Sequence, residues 1–401
     1  MKEKLYNILD YILMRGDLSF EISPFNSIDA LILCQITYNN IDGLVSPDFT
    51  KKISVSKLWE KYRSAKDYDV RNNMGAMINP LTPYVLEAAS RSNRFSNVNV
   101  SGFINKIDEK EIEQFCAVSY EVEKNNYVVV FRGTDDTIVG WYEDFNLGYM
   151  DEIPSQRDAA IYINDAMTAL KGSFSIAGHS KGGNLSVKAG MSVEKKNLKR
   201  LETVYNFDGP GFFAPVYKTQ DFLQIKDKIK SFFPEFCVVG MLFEHVAPFT
   251  IVSSSAEGVL QHDPFSWDVY GGDFLQSPSF DENSNILYAS FNDWTSKLSV
   301  QERKKFIDTF FDVIYASGAK TNFEIEQNKF ACGGKMLAKL SELDEDERKA
   351  CQRAIKAMVK VAKNHIPMLS AFDYKSGLNE IAQTLKEKEI DLKEQIKKLR
   401  R

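Results

Sequence analysis

The sequence predicts an α/β protein with a mainly parallel central sheet flanked by helices over residues 1–300, followed by a helical C-terminal extension over 301–401. Three observations carry this expectation. Tyr127–Phe131 (Tyr-Val-Val-Val-Phe) is an unbroken β-branched and aromatic run, the pattern of a strand covered on both faces. Short apolar runs recur at 173–177, 202–207 and 250–253, with helical spacing between the first two, an alternation that builds parallel sheets. Beyond residue 300 the helical pattern takes over.

In chain order, Met1–Arg15 reads as a short helix. Ser27–Tyr38 reads as another, because Ile28, Leu31, Ile32 and Ile36 line one face. Residues 58–89 mix helix and loop, with a break at 74–80, and 100–123 form an acidic, polar, amphipathic stretch. Ile161–Leu170 is helical and leads into strand 173–177, a tight turn and helix 182–195. Val300–Tyr315 is a helix. Ser341–Asn364 is another, with Ser341 as its cap, acids at its start and lysines toward its end. Leu378, Leu385, Leu392 and Leu399 fall at intervals of seven beside Ile381, while Lys388 and Gln395 interrupt the second seam. This weak coiled-coil pattern fits a helix docked on the protein's own body or a homodimer through the C-terminal helix.

The chain has 401 residues, 44% of them hydrophobic and 26% charged, with a net charge of −5 and no dominant basic block. That balance argues against nucleic acid as the main partner. Cys34, Cys116, Cys237, Cys332 and Cys351 are scattered, odd in number and without a Cys-x-x-Cys pair, which suits free thiols in a reducing compartment. The apolar segment at 5–14 is short, is interrupted by Asn7 and Asp10, and lacks a cleavage site. No run reaches the eighteen apolar residues of a membrane span. A cytoplasmic location is expected, with no transmembrane segment, no cofactor and no metal.

The chemistry centres on Gly178-His-Ser-Lys-Gly-Gly183, set between a strand and a helix. A Gly-x-Ser-x-Gly in that position is a nucleophile elbow, a turn so tight that Ser180 is held in a strained backbone with its hydroxyl exposed above the sheet. A serine needs a base, and the base needs a carboxylate. Of four histidines, His179 adjoins Ser180 and should point away, as a packing or backbone-bonding residue. His365 lies at the end of a distal helix. His262, in a loop past the 250–253 strand that Pro264 prevents from resuming, is the preferred base, with His245 the alternative. Asp208 follows a strand in Asn206-Phe-Asp-Gly-Pro-Gly211 and is the preferred acid, the order Ser180, Asp208, His262 being that of this class of triad. Its alternative role is to cap the turn at 209–211. Glu235 and Asp263 are weaker candidates for the acid. The negative charge developing on a carbonyl oxygen requires donors. The N–H of Lys181 and the N–H and hydroxyl of Thr134, in Phe131-Arg-Gly-Thr134, are placed to form that oxyanion hole.

Phe131-Arg-Gly-Thr134, Trp141-Tyr-Glu-Asp144 and Gly178-His-Ser-Lys-Gly-Gly183 together resemble the lipase class 3 branch of the α/β-hydrolases. With Asn206-Phe-Asp-Gly-Pro-Gly211 and Gln261-His-Asp-Pro-Phe-Ser-Trp267, the chain more closely resembles the Mbeg1-like bacterial proteins over most of residues 1–300. The lipase resemblance implies an α/β-hydrolase fold, Ser180 as nucleophile and Thr134 as an oxyanion-hole residue. The acid departs from it. Those lipases take their aspartate from a later strand, and Phe236-Cys-Val-Val-Gly240 has none there. Phe207-Asp208-Gly-Pro210 is instead similar to the acid segment of pancreatic-type lipases.

The expected activity is ester hydrolysis through an acyl-enzyme, acting on an acyl ester or a lipid-like small molecule. Phe212, Phe213, Phe232, Phe233, Met241, Leu242 and Phe243 either line an acyl pocket or form core beneath a crossover. A hydrolase-like fold retained as a binding or scaffold protein is the alternative.

Overall fold

The computed structural model describes residues 6–284 and 298–352, which fall in two compact units, Met1–Lys304 and Lys305–Arg401. The first holds one eight-stranded sheet whose strands lie in chain order: β1 (Ile53–Ser54), β2 (Asn99–Asp108), β3 (Glu113–Glu123), β4 (Asn126–Phe131), β5 (Ser173–His179), β6 (Leu201–Phe207), β7 (Ile229–Pro234) and β8 (Phe249–Val252). Pairing is antiparallel from β1 to β4 and parallel from β4 to β8. Six of the eight strands therefore run in one direction, and the sheet is mainly parallel.

Both faces are covered. Around it stand α1 (Ile8–Arg15), α2 (Ser27–Thr37), α3 (Val55–Arg63), α4 (Tyr68–Arg71), α5 (Thr82–Arg91), α6 (Ile138–Asn146), α7 (Pro154–Ala169) and α8 (Lys181–Met191). The strand period of two divides β4 cleanly. Val128 and Val130 join a core with residues of α1, α2, α3 and α5, while Tyr127, Val129 and Phe131 join a second core with residues of α7 and α8. The mainly parallel sheet with helices on both faces and a strand–turn–helix at Ser180 is an α/β-hydrolase fold.

Two elements correct the sequence reading. Residues 100–123 form the β2–β3 hairpin, and the charges at 106–111 that read as amphipathic cluster around its tip, while Phe115–Tyr120 is buried in the sheet. Ile229–Pro234 is a further strand that the sequence reading passed over.

The N-terminal helices are fastened by one buried ion pair. Asp29 closes the capping box of α2 and accepts two hydrogen bonds from Arg94, at 2.7 and 2.5 Å. Arg94 also donates to the carbonyls of Leu18, Ser23 and Pro24.

In the second unit, the helices Asn322–Gln327 and Lys329–Glu342 are followed by a helical segment at 345–352. Ser341 lies inside the helix ending at Glu342 and does not start one. The next helix is capped by Asp344, whose carboxylate accepts the N–H of Glu347 at 2.8 Å. The leucine-spaced segment and His365 lie outside the described residues. All five cysteines are free and buried. Among the described residues, no helix is long and apolar enough to cross a membrane.

Candidate active site

Strands β5 and β6 end level with one another, His179 pairing with Phe207. Each chain then continues one residue beyond the ladder into a left-handed backbone, Ser180 at φ +59° and Asp208 at φ +49°. For non-glycine residues each such conformation costs about 1–3 kcal/mol and must be held by its surroundings. The N–H of Ser180 donates to the carbonyl of Phe207, and that of Asp208 to Phe232, both at 2.9 Å. Gly178 and Gly182 permit the turn: a Cβ on Gly178 would stand 2.0 Å from the carbonyl oxygen of Gly182, and one on Gly182 would stand 2.1 Å from that of Phe131.

Past β8, a 3-10 turn over Gly258–His262 returns to this edge, held where Trp267 Nε1 donates to the carbonyl of Gln261 at 2.8 Å. His262 Nε2 lies 3.0 Å from Ser180 Oγ, and His262 Nδ1 lies 2.5 Å from Asp208 Oδ2. The Asp208 side chain is fully buried, whereas His262 is 29% exposed. The second oxygen of Asp208 accepts from the Cys237 thiol at 2.9 Å and the Gly240 N–H at 3.1 Å. Serine, histidine and aspartate thus form one continuous chain of contacts, in which the imidazole can pass a proton between Ser180 and a bound group while the carboxylate steadies its charged form.

The other two histidines among the described residues stand elsewhere. His179 is buried, its Nε2 2.9 Å from the carbonyl oxygen of His262 and its Nδ1 3.3 Å from the Tyr38 hydroxyl. Burial, and then the nearness of His262, hold its pKa well below the usual histidine range. His245 packs edge-on against Phe233 and is pushed down to about 4 by burial. Asp263 turns away to bond Asn79, and Glu235 lies near Asp268, whose pKa its charge helps to raise after burial.

On the other side of Ser180 is the loop after β4. Gly133 lets it approach, since a Cβ there would meet the Tyr38 hydroxyl at 2.3 Å and the His179 carbonyl at 2.5 Å. The hydroxyl of Thr134 donates to Asp144 Oδ2 at 2.5 Å. Its single proton is committed there, so of the two donors expected at Thr134 the backbone N–H is the one it can offer. Asp144 is pushed up to about 6 by burial, against the opposing charge of Lys181 and the Thr134 hydrogen bond. Lys181 opens α8, so its N–H has no partner within the helix. Among the described residues no three His, Cys, Asp or Glu side chains are placed to hold a metal ion.

Of the aromatic candidates, Phe232 and Phe233 are core. Phe212, Phe213, Met241, Leu242 and Phe243 are half-buried, on two loops bridged at Phe212–Glu244, with Phe213 and Phe243 edge to face at 5.0 Å. The sequence reading missed the supports of Asp208 at Cys237 and Gly240, the contact of Tyr38 with His179, and the partners of the Lys181 side chain. Trp141-Tyr-Glu-Asp144 was the one visible signal among these.

Fold and site geometry place the chain among α/β-hydrolase-fold proteins. The Mbeg1-like family model matches residues 89–312, more than half of the chain, and the protein belongs to that family. Among solved structures it is similar to M37 lipase, at 14% identity over 55% of this chain and 70% of that one, with a TM-score of 0.33. It is likewise similar to the Rhizomucor miehei lipase propeptide complex, at 14% identity over 62% and 76% of the two chains and a TM-score of 0.34. A mutant form of MDLA from Penicillium cyclopium matches at 14% identity over 64% and 89%, with a TM-score of 0.33. No curated protein matches the sequence.

Proposed function

We propose that the protein is a serine ester hydrolase working through an acyl-enzyme. The observation that carries this reading is the contact chain Ser180–His262–Asp208, at 3.0 and 2.5 Å. Ser180 Oγ attacks the ester carbonyl as His262 Nε2 takes its proton. The carbonyl oxygen becomes an oxyanion, held by the N–H groups of Lys181 and Thr134. Collapse breaks the bond to the leaving alkoxide, which takes the proton from His262. Water then gives a proton to His262 and attacks the acyl-enzyme, and as the acid leaves, His262 returns that proton to Ser180 Oγ. Asp208 holds the imidazole in the tautomer with Nδ1 protonated.

The strained backbone at Ser180 and Asp208 favours this reading over a retained scaffold, which has no physical need for either. The half-buried apolar side chains at 212–213 and 241–243 favour an acyl chain as the bound group, because each buried methylene contributes about 0.8 kcal/mol. Reaction with a fluorophosphonate, followed by mass-spectrometric mapping, tests the mechanism. The expected adduct is on Ser180 and is lost in Ser180→Ala. An unlabelled protein, or equal labelling of that variant, overturns it.

A further inference from the structure

Lysine is rarely buried without a partner of opposite charge. The Lys181 side chain is 1% exposed, and its ammonium has three acceptors for its three protons: the Gln114 carbonyl at 2.9 Å, the Gln114 side-chain oxygen at 3.0 Å and Glu143 Oε2 at 2.8 Å. Each partner is itself committed. Glu143 accepts the N–H of Gln114 at 3.0 Å through Oε2, and that of Ser155, at the start of α7, at 2.9 Å through Oε1. The Gln114 side-chain oxygen also receives the N–H of Asp135, in the loop that carries Thr134, at 3.3 Å. Asp144, which takes the Thr134 hydroxyl through one oxygen, turns the other toward Lys181 at 3.7 Å; that oxygen has no hydrogen-bond partner. A single ammonium and its partners therefore gather β3, α6 and the loop after β4 around the residue whose N–H opens α8.

Stability alone does not account for this arrangement. A buried ion pair is often no more stabilising than apolar side chains of the same volume, since desolvation offsets the attraction. A methionine would fill the space of Lys181. What it would not do is set the distance from the start of α8 to the opposite wall.

We propose that the Lys181 side chain is a positioning residue, fixing the Lys181 N–H and Thr134 at the separation that an oxyanion requires. The proposal rests on the acyl-enzyme reading above. It concerns the side chain of a residue whose backbone alone that reading uses.

The test uses the full chain and a fluorophosphonate, with the rate of adduct formation at Ser180 followed at several probe concentrations. Lys181→Met leaves Glu143 buried and unpaired, so Lys181→Met/Glu143→Gln is made beside it to remove both charges and keep the fold. The expected result for the double variant is an unchanged thermal midpoint to within a few degrees and a maximal labelling rate lowered about 10- to 100-fold. The saturation constant for the probe stays the same, because the donors act on the transition state. A double-variant rate within twofold of wild type overturns the proposal, and so does loss of the fold in the double variant, which would make the pair a core support. An unlabelled wild type instead overturns the acyl-enzyme reading on which the proposal rests.

Discussion

His179 holds His262 by its backbone: the Nε2 of the first lies 2.9 Å from the carbonyl oxygen of the second, and their rings are 4.7 Å apart. A carbonyl only accepts, so Nε2 carries the proton. Nδ1 of the neutral ring is then the acceptor for the Tyr38 hydroxyl. His179→Phe keeps the packing and removes the strap. We expect Ser180 labelling to slow by about tenfold, with the thermal midpoint changed by only a few degrees. An unchanged rate would show that Trp267 and Gln261 hold the His262 turn without it.

Asp208→Asn should preserve the shape of its buried site and still cost orders of magnitude in kcat, because the imidazole loses its charge partner and its tautomer. Glu235→Gln should leave kcat near wild type, as Glu235 lies beside Asp268. Steady-state kinetics on a chromogenic ester separate the two. The reverse ranking would transfer the acid to Glu235.

Removing one partner of the Arg94–Asp29 pair leaves the other buried and uncompensated. Arg94→Met should lower unfolding stability by about 3–5 kcal/mol in urea titrations. The double change Arg94→Met/Asp29→Asn should recover part of that loss. Equal losses in both variants would mean that the carbonyl contacts of Arg94, and not its charge, secure the N-terminal helices.

His245 gives a pH signature of its own. Burial depresses its pKa to about 4, below the value near 6.5 of the unfolded chain. Between those values the unfolded state binds more protons, so stability is fully present above about 6.5 and declines as the pH falls toward 4. His245→Phe should flatten that part of the curve of thermal midpoint against pH. A variant curve parallel to wild type would assign the acid sensitivity to other groups.

Much of the fold was legible because a few local signals were strong. Tyr127–Phe131 could be little else than a covered strand, and the glycines around Ser180 demanded a tight turn. The β2–β3 hairpin was hidden because its tip carries the charges, and period-two burial is easily lost beside them. Ser341 has the residue type of a helix cap, yet Asp344 takes that place two residues after the preceding helix ends. At the site, Ser180, Asp208 and His262 could be named because each follows a strand or lies in a punctuated loop. Cys237 and Tyr38 could not, since their roles depend on contacts spanning 29 and 141 residues of chain, and although Glu143 stands in the visible Trp141-Tyr-Glu-Asp144 segment, its pairing with Lys181 could not be read from it. No local pattern encodes such distances.

The attachment of Asp208 to the end of β6 has a consequence for how this chain can diversify. The crossover between β7 and β8 supports Asp208 through the Cys237 thiol and the N–H of Gly240, and a Cβ on Gly240 would stand 2.3 Å from Asp208 Oδ1. Within that crossover Cys237 and Gly240 are fixed by the acid, while Met241, Leu242 and Phe243 provide neither contact, so under the proposed mechanism those three can drift in sequence and change ligand preference without disturbing Asp208. Under the proposed mechanism, the acid and the side chains that would select the ligand sit on neighbouring but separable pieces of chain.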